Sequence, residues 1–394
     1  MRIAHVITRM IVGGAQENTL FNCLDLLRLY GDDVLLITGP ALGPEGDLLR
    51  QNDTTGLSVV EIPSLRREIH PWRDWQARWA VQRELTAFQP DVVHTHSAKG
   101  GFLGRLAAHA LRVPAIVHTV HGAPFHPYQS AVARQLFCQL ERYAAGKCHV
   151  LVSVADAMTD MLVDAGVAPR EKFTTVSSGM EVEPLLAAGA TRAEVRAELG
   201  FTDEHVVIGK IARLFHLKGH TYVIEAAEQV IREQPQVRFL FIGDGILRDE
   251  FERRIADAGL TDHFRFTGLV PPSAIPRLVG AMDVLVHASL REGLARALPQ
   301  ALIAGKPAVS YDIDGAREVV LDGETGFLLP PQSVAPLAEA LIRLAADASL
   351  RQRLGGNGQR RFTDQFRHET MTRRLREIYQ RLLGGATAGD SDSR

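Results

Sequence analysis

The chain has 394 residues, 46% hydrophobic and 23% charged, with a formal net charge of −2. Single cores stop growing near ~250–300 residues, so two domains are expected, and the near-neutral charge gives no electrostatic case for nucleic-acid binding. No run approaches the roughly 18 apolar residues of a membrane span. The N-terminal MRIAHVITRM lacks the apolar core of a signal peptide, which points to a cytoplasmic protein with contact at a membrane surface left open. Cys23, Cys138 and Cys148 show neither CxxC nor zinc-like spacing and read as free thiols.

Short β-branched runs alternate with helical patterns from the start of the chain. Arg2–Ile7 reads as a strand, followed by a Gly-Gly turn and a helix near Ala15–Leu29. Strands follow at Asp33–Thr38, Asp91–His94, Ala115–Thr119, His149–Ser153 and Phe173–Val176, with the helical GGFLGRLAAHALR between Asp91–His94 and Ala115–Thr119. Such alternation predicts a parallel sheet with helices on both faces. A polar, helix-prone break begins at Met180, and the pattern then restarts. Strands are expected at Val206–Ala212, Val237–Ile242, Phe264–Thr267, Val284–Ala288 and Ala308–Tyr311, with helices at Thr221–Glu233, Leu247–Ala258 and Leu294–Ala304. The reading is two doubly wound Rossmann-like α/β domains, 1–180 and 181–360, facing each other across a cleft. A helix over 361–384, part of a long helical pattern from Arg360 to Leu383, packs back on them, and residues 385–394 form a disordered tail.

In open α/β sheets, ligands bind beyond the carboxyl ends of the strands. In the first half, Gly13-Gly14 opens a helix, where backbone amides favour anions; a ligand-free tight turn explains the pair about as well. No GxGxxG fingerprint follows a strand. HTHSAKGG places His94 and His96 at a strand end, and HTVHG places His118 in or near the next strand with His121 beyond it. A metal reading finds no carboxylate or Cys at usable spacing, so no metal is expected, and a strand-end His contacting sugar or phosphate fits better. Lys99 and Arg105 either add positive charge on that side or are solvated surface.

In the second half, KIARLFHLKG puts Arg213 and Lys218 in the loop after its first strand, where Arg as a fork and Lys as a point charge can grip a diphosphate. An ordinary basic loop is the plainer alternative. SLREGLARALPQ sets Glu292 beside Gly293, Leu294 and Ala295 at a helix start, where amides can take a phosphate and Glu292 can accept from ligand hydroxyls; capping that helix would need no ligand. Gln300 lies about two turns along the same helix, placed to reach a second polyol.

These motifs in order, MIVGGAQ, HTHSAKGGFLGR, HTVHG, ARLFHLKG, FIGDG, FTGLV, SLREGLARALPQALIAGKPAV and DGAREVVLDGETGFLLP, resemble the family-4 retaining glycosyltransferases of the GT-B fold from Met1 to about Leu383. The resemblance implies transfer of a sugar from a UDP- or GDP-linked donor to an acceptor hydroxyl, with the donor on the second domain and a sugar or lipid-linked acceptor on the first, as in polysaccharide assembly. It implies a diphosphate held by Arg213, Lys218, Gly13, Gly14, Gly293, Leu294 and Ala295, and a donor sugar contacted by Glu292 and His121. Ribose and base fall to Gln300, Leu269 and Gly243, the acceptor side to Lys99 and Arg105, and no cofactor or metal is implied beyond the nucleotide sugar. Two positions depart from the family pattern: Gln300 stands where a second Glu is usual, and Met180 follows Gly179. A nucleotide-sugar epimerase of the same fold, a sugar phosphorylase and a non-catalytic nucleotide-sugar-binding protein are the alternatives. All three tryptophans fall in HPWRDWQARW on one helix face, close to Arg66, Arg67, Arg73, Arg78 and Arg83. Burial against the sheet is the simpler account; exposure would suit a lipid-linked acceptor.

Overall fold

The structure, a computed structural model, describes residues 1–43, 46–125 and 129–389. It divides into two units, Met1–Met180 with Phe366–Arg394, and Glu181–Gln365. In unit 1 the order is β1 (Arg2–Val6), α1 (Gly14–Tyr30), β2 (Asp33–Thr38), β3 (Ser58–Glu61), α2 (Pro71–Phe88), β4 (Val92–His96), α3 (Ala98–Ala110), β5 (Ala115–Val120), α4 (Ala131–Ala145), β6 (Val150–Ser153), α5 (Asp156–Asp164) and β7 (Phe173–Thr175). The strands form one parallel sheet in the order β3-β2-β1-β4-β5-β6-β7. The order reverses between β1 and β4, so the loops after those two strands open a crevice at the carboxyl edge.

Unit 2 begins with α6 (Glu183–Leu186) and α7 (Arg192–Glu198), then β8 (Val206–Ile211), α8 (His220–Glu233), β9 (Val237–Ile242), α9 (Arg248–Asp257), β10 (Phe264–Phe266), α10 (Ile275–Ala281), β11 (Val284–His287), α11 (Ala297–Ile303), β12 (Ala308–Tyr311), β13 (Gly326–Leu329), α12 (Val334–Ala346) and α13 (Ala348–Phe362). Its parallel sheet runs β10-β9-β8-β11-β12-β13, with the switch between β8 and β11. The central strands are apolar on both faces because helices cover both, as Phe239, Phe241, Val284 and Val286 show by their complete burial.

Two strands, β3 and β13, were not legible in the sequence. Each lies at a sheet edge and is only partly buried, so neither carries a continuous apolar run.

The long helical pattern from Arg360 is interrupted. α13 ends at Phe362, and α14 (His368–Gly389) starts only after a turn at 363–367. In that turn Met180 N donates to Phe366 O at 2.9 Å and His368 N donates to Met180 O at 3.3 Å. These bonds tie the chain's return into unit 1. α14 then packs Met371, Leu375, Ile378 and Tyr379 into the core of unit 1 beside Ile3, Leu20 and Val92. Thr372 Oγ1 donates to Asp25 at 2.8 Å, and Arg376 Nε donates to Asp32 at 2.9 Å. The helix continues to Gly389, into the segment expected to be disordered, and 390–394 lie outside the described residues. Among the described residues no helix is long and apolar enough to cross a membrane, and all three cysteines are free and buried.

Candidate functional site

In unit 2 the loops at the carboxyl edge are knitted together by backbone bonds. Leu214 N, after β8, donates to Asp244 O after β9 at 2.9 Å. Gly243 N donates to Gly268 O at 3.2 Å, which brings Gly243 beside the segment carrying the exposed Leu269. Leu290 N, after β11, donates to Leu217 O at 2.8 Å, and Gly315 N, after β12, donates to Gly293 O at 3.1 Å. Gly219 is required where it stands: its φ is +69°, and a Cβ there would lie 1.7 Å from Ala288 O. Leu217 and Asp314 also take positive φ, at 66° and 44°. Such strain in non-glycine residues persists only where the surroundings over-determine it, and it gathers at functional loops.

This web sets one contact. Lys218 Nζ donates to Glu292 Oε1 at 2.6 Å, and Glu292 N donates to Asp314 Oδ2 at 2.7 Å, which fixes the backbone of the loop. Burial alone would raise the Glu292 pKa, but the Lys218 ammonium and His287 hold it below its ordinary value. Asp314 is shifted the other way, raised chiefly by burial. The site residues predicted from the sequence separate here. Lys218 and Glu292 touch. Arg213 opens the same loop, its guanidinium 5.0 Å from the Phe215 ring centroid. Gly293, Leu294 and Ala295 lie in irregular chain, since α11 starts only at Ala297; the expected helix N-terminus beside Glu292 is therefore corrected, and the helix-cap alternative goes with it. Pro299 accounts for the late start, because it is tolerated in the first turn but not deeper in a helix. Gln300 is on α11, partly exposed.

Beneath the contact lie residues the sequence reading missed. Lys210 on β8 is completely buried, and its Nζ has no hydrogen-bond partner among the described residues. His287 on β11 has both ring nitrogens likewise unpartnered, with Nε2 3.6 Å from Glu292 Oε1. The signal was available: a lone Lys in VVIGKI and a lone His in VLVH interrupt otherwise apolar strands. Burial pushes the Lys210 pKa down to about 7 and that of His287 to about 3, so at pH 7 His287 is neutral and Lys210 is about half charged. For a base whose folded pKa is depressed, the unfolded chain binds more protons between that pKa and the free value. Stability therefore rises with pH across the window from about 7 to about 10. Lys210→Met should remove that slope, roughly 1.4 kcal/mol per pH unit. Melting temperatures of variant and wild type should differ most at pH 7 and below, with the variant higher, and converge toward pH 10. A constant difference across that range would show that Lys210 is charged in the folded protein.

In unit 1 the loops after β1 and β4 interlock. Thr8 Oγ1 and Ser97 Oγ lie 2.8 Å apart, and Gly100 N donates to Thr8 Oγ1 at 2.8 Å. A Cβ on Gly100 would come within 2.6 Å of Thr8 N, and one on Gly101 within 2.3 Å of His118 Cε1, so the twin glycine of SAKGG lets α3 sit directly on the strands. Gly13 and Gly14 stand where the sequence places them, just before and at the start of α1.

Under these loops runs a chain of histidines. His5 Nδ1 lies 2.9 Å from His96 Nε2, and His96 Nδ1 lies 3.2 Å from His121 Nε2. His5 and His96 are fully buried, and burial lowers both pKa values, to about 3 for His5. Neutral imidazole donates through one nitrogen and accepts through the other, so the chain has a direction. His5 Nε2 is buried without a partner among the described residues. Leaving a bare lone pair there costs less than leaving an N–H, so His5 donates to His96, His96 donates to His121, and the His121 proton sits on Nδ1. His94 is locked separately. Asn22 Nδ2 donates to the Tyr379 hydroxyl at 3.3 Å, that hydroxyl donates to His94 Nδ1 at 2.5 Å, and His94 Nε2 donates to Thr119 Oγ1 at 2.7 Å.

Three sequence expectations are corrected by this arrangement. His94, His96 and His118 are core residues and are not available to a ligand; His121 alone of the four is partly exposed. Arg105 is wholly buried, with Nη2 donating to Glu141 at 2.9 Å, so it is a core ion pair and adds no charge on an acceptor side. Lys99 is bound to Asp74 at 2.7 Å, which neutralises it. Ring nitrogens of His5, His94 and His96 come within 4.8 Å of one another, a grouping that could hold a metal ion. Apart from His5 Nε2, their nitrogens are engaged in the hydrogen bonds above, and no carboxylate stands among the three to offset a buried dication.

Two parallel α/β units, one with a Lys–Glu contact on a braced strand-end loop, define a glycosyltransferase of the GT-B fold. The description "Glycosyl transferase 4-like domain" matches residues 16–179, and "Glycosyl transferases group 1" matches residues 191–361. The chain belongs to this glycosyltransferase family. It is 28% identical over 356 residues to UDP-Gal:alpha-D-GlcNAc-diphosphoundecaprenol alpha-1,3-galactosyltransferase of Escherichia coli, covering 89% of each chain. It is 26% identical over 401 residues to 2-deoxystreptamine N-acetyl-D-glucosaminyltransferase of Streptomyces fradiae, covering 96% of this chain and 93% of that one. The crystal structure of Anabaena Alr3699/HepE in complex with UDP matches with a TM-score of 0.81 at 23% identity, over 96% of this chain and 100% of that one.

Proposed function

We propose that this chain transfers a sugar, with retention of anomeric configuration, from a UDP- or GDP-linked donor to the hydroxyl of a sugar or lipid-linked acceptor at the inner surface of a membrane. The observation that carries the reading is the Lys218–Glu292 contact at 2.6 Å, held on loops that converge from five strand ends. Lys218 and Arg213 neutralise the diphosphate as it leaves, where the largest negative charge develops. Glu292 accepts from donor-sugar hydroxyls while the backbone of Gly293, Leu294 and Ala295 faces the phosphates. Gly243 and Leu269 take the base, and Gln300 takes the ribose through its carbonyl oxygen. His121 contacts the donor sugar and is no general base through Nε2, which His96 occupies.

In the proposed step the bond from the anomeric carbon to the diphosphate oxygen breaks, and the acceptor oxygen bonds to that carbon from the same face. The acceptor proton passes to the departing diphosphate. No cofactor beyond the nucleotide sugar enters. The names of similar proteins support the donor and acceptor classes: the Escherichia coli relative uses UDP-Gal and a diphosphoundecaprenol-linked acceptor, and the Anabaena protein has been solved with UDP and glucose.

A thermal-shift panel of nucleotide sugars tests this. A ligand at 100 times its Kd stabilises by about 2.7 kcal/mol, which the melting temperature reads directly. One UDP- or GDP-sugar should raise it, and the product formed with that donor should keep the donor's anomeric configuration by NMR. No shift with any UDP- or GDP-sugar, or with the free diphosphates, would remove the reading.

A further inference from the structure

The tryptophan helix is not buried. Trp72, Trp75 and Trp79 are 61%, 51% and 49% exposed, so the burial expected from the sequence is overturned. The helix α2 turns Ala77, Val81 and Leu85 to the core instead, and its indoles stack on each other, with Trp72 and Trp75 ring centroids 5.0 Å apart. Three adjacent tryptophans left in water on one helix face form a contiguous apolar patch of the kind that marks an interaction surface.

A second stripe lies on the same side of the sheet. In α4, Val132, Leu136 and Tyr143 are 81%, 55% and 56% exposed, and Leu140 joins them. Spacings of four, four and three put these residues on one face, while Cys138, Ala144 and Ala145 are buried on the other. Both helices flank α3. On one side Lys99 of α3 is bound to Asp74 of α2 at 2.7 Å. On the other, Arg105 of α3 is bound to Glu141 of α4 at 2.9 Å, and the rings of Phe102 and Tyr143 are 6.5 Å apart. The layer α2-α3-α4 therefore offers two apolar stripes on one side of unit 1.

Charge selects the occupant. The α2 region carries Arg66, Arg67, Arg73, Arg78 and Arg83; Asp74 is taken by Lys99 and Arg83 is paired with Glu84 at 2.7 Å, which leaves four arginines against the exposed Glu68. On α4 the only carboxylate is Glu141, which is buried against Arg105, while Arg134 and Arg142 are exposed and the Lys147 ammonium lies 5.4 Å from the Tyr143 ring centroid. Indoles at headgroup depth, aliphatics beneath them and arginines around them are the composition of a helix lying in an anionic lipid interface.

We infer that the α2-α3-α4 layer docks unit 1 on an anionic lipid surface, with Trp72, Trp75 and Trp79 and the Val132–Tyr143 stripe inserted to headgroup depth. For its use the inference rests on the lipid-linked acceptor reading; its measurement does not. The full chain should float with phosphatidylglycerol vesicles, much less with phosphatidylcholine vesicles, and less again at high salt, with a blue shift of tryptophan emission on binding. The variant Trp72→Ala/Trp75→Ala/Trp79→Ala should lose about 10-fold or more in partitioning, and Leu136→Glu/Tyr143→Glu a similar amount. Leu29→Glu, at an exposed position on α1 across the sheet, should bind as wild type does.

Thermal stabilisation by the nucleotide sugar, measured on every variant, keeps folding and donor binding separate from lipid binding. Wild type failing to float on phosphatidylglycerol while still stabilised by donor would overturn the docking surface and leave the transferase reading standing. Flotation unaffected by either multiple substitution would overturn it as well. So would a dimer in light scattering that the tryptophan substitutions dissolve without changing flotation.

Discussion

Lys218→Ala should lower kcat/KM by about 10²–10³-fold, chiefly through kcat, while changing stability by no more than about 1 kcal/mol. The two halves of this expectation come from one geometry. Lys218 and Glu292 are 24% and 21% exposed, so as a structural ion pair they contribute little, water competing for both. A charge placed to meet a departing diphosphate acts instead when charge develops, and removal of one such preorganised group typically costs several kcal/mol of barrier. Without the ammonium, burial is left to push the Glu292 carboxyl upward. Glu292→Gln keeps an acceptor oxygen and should lose less than Glu292→Ala. Gln300→Ala, which on the proposed reading removes a binding contact made equally before and during reaction, should raise KM and leave kcat near wild type. Steady-state kinetics with the donor found by thermal shift reads all four variants. Lys218→Ala within about 3-fold of wild-type kcat would remove the diphosphate role, since that is under 1 kcal/mol of barrier.

What the sequence showed, and what it hid, follows from where each residue lies. The alternation of apolar strands and helices was plain because both sheets are covered on both faces, and Asp33–Thr38, Val237–Ile242 and Ala308–Tyr311 fall where the runs place them. The loop residues Arg213, Lys218 and Glu292 were legible because charge at a strand's carboxyl end is informative in this architecture. The error at Arg105 and Lys99 has one cause: sequence shows a cation but not its partner, and Glu141 and Asp74 are distant in the chain. The histidines were paired by proximity in sequence, 94 with 96 and 118 with 121. The structure pairs them by sheet order, joining His5 of β1 to His96 of β4 because those strands are neighbours. Burial of the three tryptophans was expected because indole is costly to expose; the helix instead turns Ala77, Val81 and Leu85 to the core and leaves the indoles in solvent. Of the alternatives weighed, the epimerase and the phosphorylase both lack support from the relatives described, which are named as transferases.

His96→Leu should cost about 10²-fold in kcat/KM although His96 reaches no ligand itself, because it is wholly buried. On the proposed reading it is a positioning residue. Its Nδ1 faces His121 Nε2 at 3.2 Å and its Nε2 faces His5 Nδ1 at 2.9 Å, so Leu at this position strips a partner from each neighbour. The loss of those two bonds costs stability too, about 1–3 kcal/mol for each group left buried and unpaired. Stability alone therefore cannot distinguish positioning from packing. The tautomer can. In wild type, nitrogen-15 shifts of His121 should show a proton on Nδ1. In His96→Leu the contact at His121 Nε2 is gone, and the ring should populate both tautomers, a change the nitrogen-15 shifts read directly. His96→Asn, whose side-chain amide can stand in for the Nδ1–H donor, should restore the tautomer and most of the rate while still lacking the bond to His5. If His96→Leu loses stability but keeps the wild-type kcat/KM and the Nδ1–H signal, the histidine chain is packing alone, and His121 is oriented by its own loop.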